Sequence, residues 1–417
     1  MRFRPLALAA AAALLLVGCD AATEAPTGAA IDAPLGGESM TKHAVLSDEK
    51  ALDSDVLEST ILADIPLEQA LKRVDDEFVF RSRGAVFVMS DAASGNEVIT
   101  LARNKDGTLS PFSTSATGGQ GADGATGAST NPLVIGGFRG RYLYVVNAGS
   151  DDISVFRING DGLTLYGTTP SGGPFPLSLA ISGNRLFVLN AGREGEAGNI
   201  SAFEVRRNGR LRSLGVKATF PEGFNAPPQI GLDPTASTLT MTDRASNRIA
   251  VYPVFESGAL GTPEITDSNG VTPFGFDHDA DGRLFVTEAN MGMADASFVT
   301  SYSQTGTSLS VIDGSVGTTE TAACWARVIG NYVYVTNTAS GTISGYAIGE
   351  DGSLTLLDED GVTGVTGTNP RDLNIALRYL YAQSDGQIDA YRIGEDGSLT
   401  KISTSPVPMT SRGVATR

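Results

Sequence analysis

RYLYVVNAGSDDISVFRINGDGLTLY, residues 141–166, reads as three short strands in series. Residues 142–146 are aromatic and β-branched, and they stop at Asn147-Ala148-Gly149-Ser150-Asp151, a cluster of turn formers. Residues 153–158 set Ile153, Val155, Phe156 and Ile158 against Ser154 and Arg157. Asn159-Gly160-Asp161-Gly162 is a tight hairpin signal, because Asn and Gly tolerate positive φ. Residues 163–166 continue as the third strand, and residues 132–136 upstream supply a fourth. One such antiparallel sheet cannot bury both of its faces alone, so it needs neighbours of its own kind.

The neighbours are in the sequence. The strand ending at Asn147 has counterparts ending at Ser90, Asn190, Asp243, Glu288, Asn337 and Ser384, at intervals of 43 to 57 residues. Seven four-stranded units at that spacing predict an all-β, seven-bladed β-propeller over residues 84–417. A β-sandwich would not repeat the order of strand, turn, strand, hairpin and strand so regularly. Blade 1 opens at Gly84 directly with its second strand, and residues 411–416 resemble the starts of the inner strands elsewhere. The C-terminal strand is therefore expected to close the ring and remove an exposed edge. The run Gly118-Gly119-Gln120-Gly121-Ala122-Asp123-Gly124 lacks the Gly-Lys-Ser/Thr ending of a phosphate loop and reads as a loop insertion between blades 1 and 2.

Residues 1–19 have the layout of a signal peptide: Arg2 and Arg4, then an unbroken apolar run over 6–17 that is too short to span a bilayer. The run ends in Leu16-Val17-Gly18-Cys19, which resembles a bacterial lipobox and implies lipid attachment at Cys19. The expected location is the cell envelope, as a periplasmic or surface lipoprotein that meets the membrane only through that lipid. Residues 20–40 are poor in large apolar side chains and read as a flexible tether. Residues 41–83 form an N-terminal extension in which 66–74 have the spacing of a short amphipathic helix.

A net charge of -17 argues against nucleic acid and against electrostatic binding to anionic lipid. Of two cysteines, Cys19 is assigned to the anchor, so Cys324 is expected to stand alone as a buried small hydrophobe. His43 and His278 are the only histidines, which leaves little for a multi-histidine metal site or a Ser-His-Asp triad.

With the repeats laid out, YLYVVNAGSDDISVFRINGDGLTL, LFVLNAG (186–192) with NISAFEV (199–205), and YVYVTNTASGTISGYAIGEDGSLTLL (332–357) resemble the lactonase-family β-propellers. That family includes bacterial 6-phosphogluconolactonase-type and fungal carboxymuconate-cycloisomerase-type proteins. The resemblance implies a lactone site built on a Gly-Pro-Arg-His at an inner-strand start, with a Glu near the end of the following strand. Here blade 7 carries Asn369-Pro370-Arg371-Asp372, with Asp in place of His, and its second strand ends in Ser384-Asp385 without Glu. Blade 5 keeps Glu288, but its inner strand starts Thr272-Pro273-Phe274-Gly275.

Inner strands start, and second strands end, on one face of a propeller. That upper face is expected to gather Trp325, Arg327, Arg371 and Asp372 with Asn147, Asn190, Arg193 and Glu288. Arg371, Asp372, Arg327 and Glu288 are the catalytic candidates. Trp325, Arg327, Arg371, Asn190, Arg193 and Asn147 are the candidates for holding a small molecule or a protein partner. The sequence favours a binding module with an incomplete catalytic set, with a lactone hydrolase or muconate-type cycloisomerase as the alternative. No cofactor is called for, except that Asp277-x-Asp279-x-Asp281-Gly282 followed by Glu288 fits a calcium-loop pattern. Residues 283–287 read as a strand, which would carry Glu288 about 17 Å away. Calcium at Asp277, Asp279 and Asp281 therefore stands beside the plainer reading, a solvated acidic turn.

Overall fold

The computed structural model describes residues 84–126, 129–159 and 162–417. Cys19, the tether and the helical extension lie outside the described residues.

Seven antiparallel sheets make the expected seven blades. In blade 2 the order from the channel outward is Leu133–Gly136, Tyr142–Asn147, Asp152–Asn159 and Gly162–Pro170. The other inner strands are Pro176–Ser182, Gln229–Leu232, Pro273–His278, Ala323–Ile329 and Asp372–Ala376 for blades 3 to 7. Blade 1 takes its inner strand from the C-terminus. Arg412–Thr416 pairs antiparallel with Ala85–Met89 through Val86↔Thr416, Phe87↔Ala415 and Met89↔Arg412. This join leaves Ala85–Met89, the first strand among the described residues, without an unpaired edge.

Burial explains the sequence pattern. Second strands such as Ala85–Met89 and Tyr142–Asn147 are buried along their whole length, because both faces pack against neighbouring blades. They therefore read as continuous apolar runs. Outermost strands such as Leu109–Ala116 are largely exposed and read as polar.

A recurring tyrosine pair joins blade to blade. Tyr144 donates to the Gly209 carbonyl of blade 3 (3.0 Å), Tyr334 to Gly397 of blade 7 (2.7 Å) and Tyr381 to Gly107 of blade 1 (2.9 Å). Each acceptor lies in the next blade's outer hairpin turn. Its glycine has φ between 78° and 86°, and an added Cβ would strike the ring of Tyr142, Tyr332 or Tyr379 respectively. These turns need glycine twice over, for the dihedral and for the neighbour's ring.

Cys324 is wholly buried on the inner strand of blade 6.

Candidate functional site: the central channel

The seven inner strands surround one channel, and their burial is graded along it. Ala323–Ile329 runs from four buried residues to three half-buried ones, and Pro273–His278 and Gln229–Leu232 change in the same sense. The channel is thus closed at the upper face and accessible from the lower one. Its open part is a chamber of about 330 Å³, at the small end of the range for ligand sites. Blades 2 to 4 give it an apolar wall, including Leu133, Ile135, Leu179, Ile181 and Leu232. Blades 5 to 7 give it a polar wall of Asp277, His278, Arg327 and Asn374.

The upper closure is made by the glycine-rich insertion, which is a packed plug rather than a plain surface loop. The buried Asp91 carboxylate accepts from the Ala122 and Gly124 amides (3.0 and 2.9 Å) and from the Thr126 hydroxyl (2.5 Å). Gly121 lies against the Asp91 backbone so closely that a Cβ would overlap it. Downstream, the Ser129 carbonyl accepts from Trp325 Nε1 of blade 6 (2.9 Å), and the Thr130 amide donates to Pro228 of blade 4 (3.1 Å). Residues that belong to blade 2 yet touch blades 4 and 6 must lie across the channel axis.

The structure disperses most of the expected site. Arg327 and Asp372 do meet, with 3.9 Å between Nη2 and Oδ1, and Arg327 also donates to Asn131 Oδ1. Asp372 is fully buried and accepts from the Leu373 and Val414 amides (2.8 and 2.9 Å). Desolvation raises its pKa to about 6, against the opposing pull of Arg327 and the two amides. Arg371 turns instead to Asp385 (3.4 Å). Glu288 is sealed inside blade 5, where the Gly270 amide and the Thr300 and Ser315 hydroxyls each donate to it at 2.7 Å. Burial pushes its pKa up even so.

The remaining upper-face candidates serve the framework or its rim. Trp325 is buried edge-on to Phe274, with ring centroids 5.2 Å apart. Asn147 and Asn190 are fully buried and bond Ser154 and Ser201 of their own blades (2.7 and 3.2 Å). Arg193 sits at the rim, ion-paired to Asp151 at 2.6 Å.

The aspartates of the calcium-loop pattern have other partners. Asp277 accepts from the Val328 and His278 amides (2.9 and 3.0 Å). Asp279 accepts from the Arg283 Nε at 2.6 Å, so a guanidinium stands where a cation would. Among the described residues no carboxylates group as a metal-binding set.

Reading inner strands only at their starts missed the chamber, which is lined by their later residues. The signal was available: an inner strand borders the channel along its whole length, so its last residues, Asp277 and His278 in blade 5, belong to the channel as much as its first. His278 Nε2 lies 3.2 Å from Gln304 Oε1, while the Gln304 amide nitrogen donates to Thr238 Oγ1 and to the Gly306 carbonyl (2.8 and 3.0 Å). The Gln304 oxygen must then accept, which puts the imidazole proton on Nε2 and leaves Nδ1 as the basic nitrogen. Burial holds the His278 pKa below its ordinary value, so the ring is neutral at pH 7.

Fold and channel together define the class as a seven-bladed propeller with an axial chamber. The family model for the lactonase seven-bladed β-propeller matches residues 79–224 and 196–307, more than half of the chain, and the chain belongs to that family. Among solved structures it is similar to a candidate 6-phosphogluconolactonase of Bacteroides fragilis (TM-score 0.60, 19% identity, covering 80% of this chain and 98% of that one). A protein of Lactobacillus plantarum gives 0.63 and 18%, over 80% and 99%. The periplasmic gluconolactonase PpgL of Pseudomonas aeruginosa gives 0.61 and 15%, over 79% and 97%. At these identities the likeness is one of fold. An uncharacterized protein of Staphylococcus saprophyticus is 23% identical over 143 residues, 33% of this chain, and the chain spans 40% of that relative's length.

Proposed function

We propose that this lactonase-family propeller is an exported binding module that takes a small ligand into its channel chamber and opens lactones poorly or not at all. The dispersal of the catalytic candidates carries this reading. Arg327 lines the chamber, Arg371 is turned to Asp385, and Glu288 is enclosed within its own blade. Asp372, at the place where the family resemblance puts His, is buried against Arg327 and repels an anionic substrate when ionised. The two-sided chamber wall suits an amphipathic molecule, with its apolar part against blades 2 to 4 and its polar end towards Arg327 and His278.

One observation favours the hydrolase alternative: a neutral imidazole and a guanidinium share a chamber, and that pair could serve proton transfer and oxyanion stabilisation. Assay of the purified protein on 6-phosphogluconolactone and simple lactones decides between them. The binding reading expects the buffer rate. Turnover of about 1 per second or faster, abolished by both Arg327→Ala and His278→Ala, overturns it.

Export rests on the Leu16-Val17-Gly18-Cys19 ending, and Cys19→Ser is expected to release the protein from membranes with loss of the acyl mass.

A further inference from the structure

The lower face, where the chamber opens, is electrically two-sided in a chain that is acidic as a whole. Arg139, Arg141, Arg157, Arg206, Arg207 and Arg210 are all exposed and lie where blades 2 and 3 meet. Aromatic rings hold three of them in place. Phe138 has the Arg139 and Arg207 guanidiniums 5.2 and 5.3 Å from its centroid, and Arg210 lies 5.7 Å from that of Tyr166. The next arginine, Arg212, is paired with Glu204, but among the described residues these six have no carboxylate partner. Unpaired cations gathered on one corner of a chain at -17 are a surface built for an anion.

The matching anions are on the other side of the same face. The outer turns of blades 6 and 7 are both Gly-Glu-Asp-Gly-Ser, at 349–353 and 394–398, and expose Glu350, Asp351, Glu395 and Asp396. Asp281 of blade 5, its side chain 80% exposed and 3.4 Å from the Arg283 guanidinium, extends the group, in which Arg378 and Arg392 of blade 7 are the exposed cations. In a ring of seven, the point opposite the boundary of blades 2 and 3 is blade 6, which is the centre of this acidic arc. A two-fold axis lying in the plane of the lower face, at right angles to the line joining the two poles, therefore sets each arginine corner on the acidic arc of a second copy. Such a contact is isologous and closes on itself.

We propose that two copies of this chain pair lower face to lower face, arginine corner on acidic arc. The pairing also sets the two chamber mouths opposite each other, so that each copy covers the other's ligand site. At about 0.15 M salt the repulsion between distant like charges is screened while the contacting pairs still attract.

Sedimentation of the full-length chain tests this. A dimer mass is expected at about 0.15 M salt, falling towards monomer at about 1 M. Arg207→Glu with Arg210→Glu should give a monomer, as should Glu350→Arg with Glu395→Arg. Mixing the two variants should restore the dimer mass, a rescue that misfolded proteins could not give. A wild-type chain that is monomeric, or a dimer that survives both reversals, overturns the proposal. So does a monomer that binds phosphatidylglycerol vesicles through Arg207 and Arg210, since the corner would then dock on a membrane.

Discussion

Asp372 shows how one substitution changes what an inner-strand start can do. Its carboxyl has no contact with water, and with a folded pKa near 6 the protonated form is favoured relative to the unfolded chain. The stability it contributes is fully present below about pH 4 and is lost as pH rises through about 6, at most about 3 kcal/mol. Glu288 and Asp91, also raised by burial, act in the same direction. His278, lowered by burial, acts in the opposite one, losing stability as pH falls below about 6.5. Asp372→Asn should therefore flatten the difference between wild-type and variant melting temperatures outside the interval from about pH 4 to 6 and confine its slope to that interval. Parallel curves across the interval would show that Asp372 titrates normally. The meeting of Arg327 and Asp372 was only half legible, because Asp372 opens its inner strand while Arg327 lies in the later, half-buried part of Ala323–Ile329 and reaches back to it. The engagement of Glu288 was not, since its partners Gly270, Thr300 and Ser315 come from parts of blade 5 with no motif of their own.

At the scale of the element, the blades were legible because each second strand is buried on both faces and each outer hairpin is marked by glycine. What the sequence did not state is that the two signals belong to one joint. The tyrosine pairs of blades 2, 6 and 7 hold the turns of blades 3, 7 and 1. Blade 3 has Arg185 and Phe187 at the corresponding positions, and the blade 4 turn at Gly258 packs against that Arg185 and Leu214. Tyr334→Phe removes one buried hydrogen bond and should cost about 1 kcal/mol. Gly397→Ala should cost more, because it adds strain at positive φ to a collision with the Tyr332 ring. Chemical denaturation of both variants checks the order. Equal midpoints would mean that the ring of Tyr332 simply moves aside.

At the scale of the whole molecule, the question is which end of the channel communicates with solvent. Counting blades cannot answer it, and the glycine-rich run gave no warning, since glycine, alanine and threonine are as common in loose loops as in tight ones. The plug depends on Asp91, a residue whose role is invisible until residues 122, 124 and 126 are seen around its carboxylate. Asp91→Ala removes three acceptor contacts and leaves two amides and a hydroxyl to find water, so residues 121–126 should detach first. That loosening should reach Ser129 and, through its carbonyl, the indole of Trp325. Trp325 is the only tryptophan in the chain and is completely buried, so its fluorescence reports on the closure directly. Wild-type protein is expected to emit at short wavelength and resist quenching by acrylamide. Asp91→Ala should shift the emission to the red and raise quenching while the β-sheet circular dichroism is kept. An unchanged spectrum in a folded Asp91→Ala variant would mean that the inner strands alone close the upper end, and that the insertion merely lies over a channel already shut.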